Sequence, residues 1–255
     1  MRILFALLLV CIGSAALWAS LDRPLDAPDW HGQFKGVAYT PSHLYSEQQK
    51  DEQITEAMLR QDLEQLSRVT KRVRTYTVGA YGVDHAPAFG QDRIPYLAKD
   101  YGLKVTLGVW LGNNAQWSEA EIAKAIQVIN DNPAVVDRVI VGNEAVGVRA
   151  ELTAGQVADA IKRIKRSITN KRIEVGYTDV WGAWMRDGMG QIADASDFVG
   201  IHLLPYWEGV SLKKSMDYVT TSYGYIQKKF PGKKVVIGET GWPSEGRVKK
   251  GAVPS

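Results

Sequence analysis

The stretch Arg138–Glu144, RVIVGNE, decides how this chain is read. A β-branched apolar run stops abruptly on glycine, and the next two residues are Asn143 and Glu144. A carboxylate at the exit of a buried strand is costly unless it is solvated, paired or used. The same design returns at Val235–Trp242, VVIGETGW, where the run passes through Gly238 to Glu239. If both runs are strands of one parallel sheet, both glutamates emerge at its carboxyl edge, where such sheets place their sites. Glu144 and Glu239 are therefore the first candidates for paired chemistry.

Outward from these two stretches the pattern repeats: a short β-branched or aromatic run, a polar junction, then a helical period. Strands are expected at Phe34–Tyr39, Arg72–Thr77, Leu103–Leu111, Val139–Glu144, Ile173–Val180, Phe198–Leu204 and Lys234–Glu239. Helices are expected near Gln53–Ser67, Ile94–Tyr101, Glu119–Asn130 with Ser118 as its cap, and Thr153–Thr169 opening on Thr153. Strands recurring at roughly 30-residue intervals with helices between them are βαβ units of a parallel sheet. The expected fold class is α/β, a (β/α)8 TIM barrel truncated after strand seven, behind an N-terminal apolar helix. Nothing after Trp242 reads as an eighth strand or helix, and a ring of seven would leave a gap. The chain is accordingly expected to be the amino-terminal part of a longer reading frame. The domain plan is 1–21 as leader or anchor, 22–33 as linker and 34–255 as the incomplete barrel.

Composition narrows the function classes. With 255 residues, 45% of them hydrophobic, the chain can bury one large core. A net charge of +3, spread among acidic residues, gives no nucleic-acid footprint, and the basic run Lys162–Arg166 reads as a solvated helix face. The single cysteine, Cys11, excludes an internal disulfide framework. His31, His43, His85 and His202 show no metal-ligand spacing, so neither a metal nor any cofactor is expected. No glycine-rich turn follows the first strand, and Ser244 in WPSEG is no nucleophile elbow. Ile3–Leu21 carries no charge and is long enough to cross a bilayer, as a signal peptide cut near Ser14-Ala15-Ala16 or as an uncleaved anchor. Either reading exports the remainder, and the membrane is met only through this segment.

The strand ends hold Tyr39, Arg74, Tyr76, Trp110, Asn143, Glu144, Tyr177, Asp179, His202, Tyr206, Trp207, Glu239 and Trp242. In a barrel these ring one mouth, with strands four and seven nearly opposite. Hydrolysis of a sugar chain needs one carboxyl to protonate the leaving oxygen and another to attack the anomeric carbon or activate water. Aromatic faces suit glucose rings, while Asn, Arg and His hold hydroxyls. Each element also has a plainer reading. Arg74 neutralises a buried carboxylate, His202 is a satisfied core histidine, and Trp181 and Trp184 pack a short helix. A non-catalytic glucan-binding barrel stays open as the competing function. For a transferase, Trp110, Trp181, Trp207 and Trp242 are candidate acceptor platforms, Trp181 first.

The strings VGNE and GETGWPSEG resemble glycoside hydrolase family 17, the β-1,3-glucanases and glucanosyltransferases, from about Gly36 to the C-terminus. The resemblance implies a retaining enzyme acting on β-1,3-linked glucans, with β-1,6 linkages a further option. It implies Glu144 as acid/base, Glu239 as nucleophile and Asn143 on the sugar 2-hydroxyl. Tyr206 would bond the nucleophile, and Tyr39 would line the same subsite. Arg74, Tyr76, Tyr177, His202 and Trp242 complete the expected substrate-binding set. RTYTVG and DVWGAW depart from the plant pattern, and DVWGAW is similar to a bacterial branch, often found beside membrane glucosyltransferases. Such a glucosyltransferase is therefore an expected partner, and the expected location is periplasmic, inner-membrane-anchored or secreted.

Overall fold

The computed structural model describes residues 2–21, 31–41, 54–79 and 91–255. Helix α1 (Arg2–Leu21) is an apolar segment whose described side chains are exposed throughout. Its Ile3–Ser20 window has a mean hydropathy of 2.3, enough in length and composition to cross a membrane. Residues 22–30 of the expected linker, His43 and His85 lie outside the described residues.

Beyond it the chain alternates as the apolar periods require. The elements run β1 (Val37–Ala38), α2 (Glu56–Val69), β2 (Arg72–Arg74), α3 (Ile94–Ala98), β3 (Lys104–Val109) and α4 (Ala115–Asp131). They continue with β4 (Val136–Asn143), α5 (Ala154–Ser167), β5 (Glu174–Val180), α6 (Trp181–Trp184), α7 (Gly190–Ala195), β6 (Phe198–Leu203), α8 (Leu212–Lys229) and β7 (Lys234–Thr240). The strands form one seven-stranded sheet in sequence order, β1 through β7. Pairs from β1 to β6 are parallel. A strand order that never reverses is the winding of a (β/α) barrel and not of a doubly wound sheet. β3 to β6 are buried almost end to end, as strands covered on both faces must be.

Boundaries moved where local chemistry outweighed period. The first strand is two residues long, and Phe34 lies outside it, in an isolated bridge to Thr70. α4 starts at Ala115, because the Asn114 side chain accepts the Trp117 N–H at 3.1 Å. Ser118 is not the cap: its hydroxyl turns back to Gly112, donating to the carbonyl and accepting the N–H at 3.1 Å each. Thr153 does cap α5, and the Gln156 side chain returns to the Thr153 N–H at 2.9 Å in a full capping box. The alternating pattern calls for helices before β6 and β7 without marking their bounds, and α7 and α8 take those places.

The chain divides into two compact units. The larger, His31–His202 with Tyr223–Glu239, holds nearly all of the sheet and both glutamates. The smaller comprises Met1–Trp30, Leu203–Ser222 and Thr240–Ser255. In it the Gly251 N–H donates to Gly209 at 3.2 Å, and Trp242 gives its indole N–H to the Val253 carbonyl at 2.9 Å.

Candidate active site

In the larger unit the polar residues gather at the carboxyl ends of the strands. Gly238, one residue before Glu239, has no side chain, and the His202 ring lies flush against it. A Cβ there would come within 3.0 Å of the ring Cδ2 and Nε2. His202 itself is 1% exposed. Its Nδ1 lies 2.9 Å from the Glu144 Oε1, and its Nε2 lies 3.6 Å from the Glu239 Oε1 with no hydrogen-bond partner of its own. One imidazole therefore stands between the two carboxylates. Those two contacts and the width of the ring keep the carboxyl groups inside the separation of about 9.5 Å that bounds paired glycosidase carboxylates.

Arg74, the last residue of β2, is 6% exposed and holds two of these groups at once. Its Nη1 donates to the Glu239 Oε1 and its Nη2 to the Asn143 Oδ1, the latter at 2.6 Å. The Tyr76 ring lies against the guanidinium, 4.0 Å from Cζ to centroid, and the Tyr76 side chain also hydrogen-bonds Glu239. Thr178 donates its hydroxyl to the same Asn143 oxygen at 3.3 Å. Burial alone would raise the Glu239 carboxyl. The charges of His202 and Arg74, with hydrogen bonds from Arg74 and Tyr76, outweigh it and hold the group below its ordinary value. Glu239 is therefore ionised at neutral pH.

Glu144 leaves β4 through a left-handed turn. Gly142 has φ +86°, Glu144 itself has φ +54°, and a non-glycine residue there costs on the order of 1 kcal/mol or more. The Glu144 N–H donates to the Thr178 carbonyl at 2.9 Å, and its carbonyl accepts the Arg149 N–H at 2.9 Å.

Tyr177, expected to contact substrate, is enclosed instead. Tyr177 is 0% exposed, and its hydroxyl donates to Asp179 while accepting the Val146 N–H at 2.9 Å. It cannot touch a substrate, because no part of it reaches the surface. Tyr39 is buried too, and its hydroxyl donates to Asp62 of α2 at 2.7 Å. Tyr206 and Trp242 belong to the smaller unit, where their rings pack edge to face at 5.8 Å. The Tyr206 hydroxyl donates to the Arg247 carbonyl. Trp181 stacks on Tyr225 with centroids 6.1 Å apart, whereas Trp110 is 41% exposed.

Two supporting residues were not singled out from the sequence. Glu121 of α4 is buried and accepts the Val78 N–H at 2.7 Å, the Trp110 N–H at 3.1 Å and the Thr77 hydroxyl. It shares the buried face of α4 with Ile122, Ala125, Val128 and Ile129, so a glutamate on the apolar stripe was the signal for it. Arg149 donates to the Asn143 carbonyl at 3.0 Å and to the Leu111 carbonyl, and lies 4.2 Å over the Trp110 ring. A loop arginine has no period to betray it. Among the described residues no cluster of His, Cys, Asp and Glu could hold a metal ion.

Comparison with known proteins bears on this arrangement. Residues 36–255 match the model of the BtgE/BtgC glycoside hydrolase domain. The chain is 26% identical over 236 residues to the probable glucan endo-1,3-β-glucosidase btgC of Aspergillus flavus, across 87% of this chain and 33% of that protein. It is 25% identical over 175 residues to a glucan 1,3-β-glucosidase of Saccharomyces cerevisiae, across 62% of this chain and 55% of that one. The chain thus spans about a third to a half of the length of these relatives. Among solved structures, an active-site mutant of the Rhizomucor miehei β-1,3-glucanosyltransferase in complex with laminaritriose superposes with a TM-score of 0.73 at 25% identity, covering 87% of this chain and 76% of that one. An endo-laminarinase from Formosa shares the fold, with a TM-score of 0.70 at 16% identity over 86% and 68% of the two chains.

Proposed function

The chain belongs to the BtgE/BtgC glycoside hydrolase domain family, and from that premise we propose that it cleaves β-1,3-linked glucans in two steps with retention at the anomeric carbon. The observation that carries the reading is the Glu144–His202–Glu239 array, in which Arg74 holds one carboxylate ionised beside a second. Glu239 attacks the anomeric carbon while Glu144 gives its proton to the departing glycosidic oxygen. The bond to the leaving sugar breaks as the glycosyl ester to Glu239 forms. Glu144, now a carboxylate, takes a proton from water or from a sugar hydroxyl, which attacks the same carbon and frees Glu239. Asn143, fixed by Arg74 and Thr178, presents its amide N–H to the sugar 2-hydroxyl. Water as second acceptor gives hydrolysis, and a bound sugar gives transfer.

The apolar α1 supports export of the remainder, by a leader that is removed or an anchor that stays. The bacterial branch, a periplasmic location and a membrane glucosyltransferase as partner rest on the DVWGAW string alone. The test is the product stereochemistry on laminari-oligosaccharides, followed by proton NMR from the first minute. The β-anomer should appear first and mutarotate slowly. First appearance of the α-anomer, or no cleavage of any member of the panel, would overturn the reading.

A further inference from the structure

Asp179 is a buried titratable group that the proposed chemistry does not use. It is 0% exposed, and its carboxylate accepts the Gly147 N–H at 2.7 Å, the Val180 N–H at 2.9 Å and the Tyr177 hydroxyl. Its neighbours explain why it is there. Tyr177, Thr178 and Asp179 are consecutive on β5, and each takes one N–H from the turn that carries Glu144. The Thr178 carbonyl holds Glu144 at 2.9 Å, the Tyr177 hydroxyl holds Val146 at 2.9 Å, and Asp179 holds Gly147. Buried N–H groups need partners, and here the partners fix the path of the backbone. Steric fit points the same way. A Cβ at Gly142 would sit 3.2 Å from the Tyr177 ring, and one at Gly147 would overlap both Asp179 oxygens and the Ala183 side chain.

We infer that Tyr177 and Asp179 are positioning residues for Glu144, locking the left-handed turn that delivers its carboxylate to the His202 Nδ1. This rests on the acid/base role proposed for Glu144. Residues in sparsely populated backbone regions persist only when their surroundings over-determine them, and the three β5 acceptors supply that constraint. Burial holds the Asp179 carboxyl above its ordinary value against the hydrogen bonds it accepts. An ionised or protonated Asp179 has an acceptor oxygen for Gly147 in either case.

The experiment compares two donors in the full chain carrying Tyr177→Phe or Asp179→Ala, which remove the hydroxyl and the carboxylate oxygens that hold Val146 and Gly147. One donor is laminaripentaose, whose leaving sugar needs a proton. The other is 2,4-dinitrophenyl β-laminaribioside, whose leaving group departs without one. Misplacing the acid should lower kcat/KM for laminaripentaose on the order of 10²-fold and leave the aryl donor within a factor of about three. A purely structural loss would lower both donors together, and either that result or no loss at all overturns the inference. Glu144→Gln is the benchmark. If it fails to discriminate the donors, the acid/base role itself is wrong, which is a separate failure. Should the variants not fold, amide exchange of the intact protein decides: Val146 and Gly147 should be protected as strongly as β5, and exchange at free-loop rates would contradict the lock.

Discussion

Arg74 lies between two acceptors, and its removal should show what each needs. In Arg74→Met the apolar stem is kept while Glu239 loses its closest cation and Asn143 loses a donor. Breaking a buried pair from one side costs about 3 kcal/mol, the lower end applying because Glu239 keeps some solvent. Glu239 is depressed in the folded protein, so its contribution to stability is present above the ordinary carboxylate range and is lost as pH falls through the lower folded value. Without Arg74 that value rises, and the acid limb of the pH–rate profile should move to higher pH. An unmoved acid limb would dissociate Arg74 from the ionisation of Glu239. Trp110 carries the second prediction at this scale. Its backbone is fixed by Glu121, one face is covered by Arg149 and the residue is 41% exposed, so it replaces Trp181 as first choice for an acceptor platform. Trp110→Ala should lower the ratio of transfer to hydrolysis products, by chromatography, more than it lowers donor consumption. An unchanged ratio would remove it from the acceptor side.

Among the elements, the strand ends divide the labour. At the amino end of the sheet, Glu174 of β5 accepts from Lys234 of β7 at 2.7 Å and from Arg138 of β4 at 2.7 Å. Burial would raise the Glu174 carboxyl, but hydrogen bonds and charge from Lys234 and Arg138 hold it lowered. The stabilisation is therefore complete above the ordinary carboxylate range and lost on acidification through the depressed value. Glu174→Gln should cost about 1 kcal/mol near neutrality, discounted for exposure, and flatten the acid side of the stability curve. Activity should stay unchanged, since this end of a barrel serves stability. Thr153→Ala, removing the α5 cap, should likewise cost about 1 kcal/mol in a denaturant titration. How far such features are legible from sequence depends on their range. The Thr153–Gln156 cap and the β4 and β7 runs are local patterns, so they could be read directly. Asn114 outcompeted Ser118 because the loop at Gly112 claims the Ser118 hydroxyl, a contact no window of sequence contains. Tyr177 reads as a mouth residue by position alone, and only packing against Gly142 and Asp179 shows that it faces inward. Period does not mark pairs such as Tyr39 and Asp62, which meet only when the sheet closes on α2.

For the whole molecule, the exposed apolar face of α1 and the sheet-bearing unit should behave separately. A chain beginning at His31 should remain monodisperse without detergent, whereas the full chain should need detergent or lipid, as read by light scattering. Equal behaviour of the two would contradict a membrane-seeking role for α1. The central claim, that Glu239 becomes the covalently glycosylated residue with Glu144 as its acid/base, is tested most directly by trapping. A 2-fluoro-laminaribiosyl fluoride donor slows both steps and leaves the departing fluoride independent of the acid. Peptide mass spectrometry of the treated protein should place a single laminaribiosyl adduct on Glu239, with labelling absent in Glu239→Gln and retained in Glu144→Gln. An adduct on Glu144 or any other residue, or no adduct in a protein that still cleaves laminari-oligosaccharides, would contradict it.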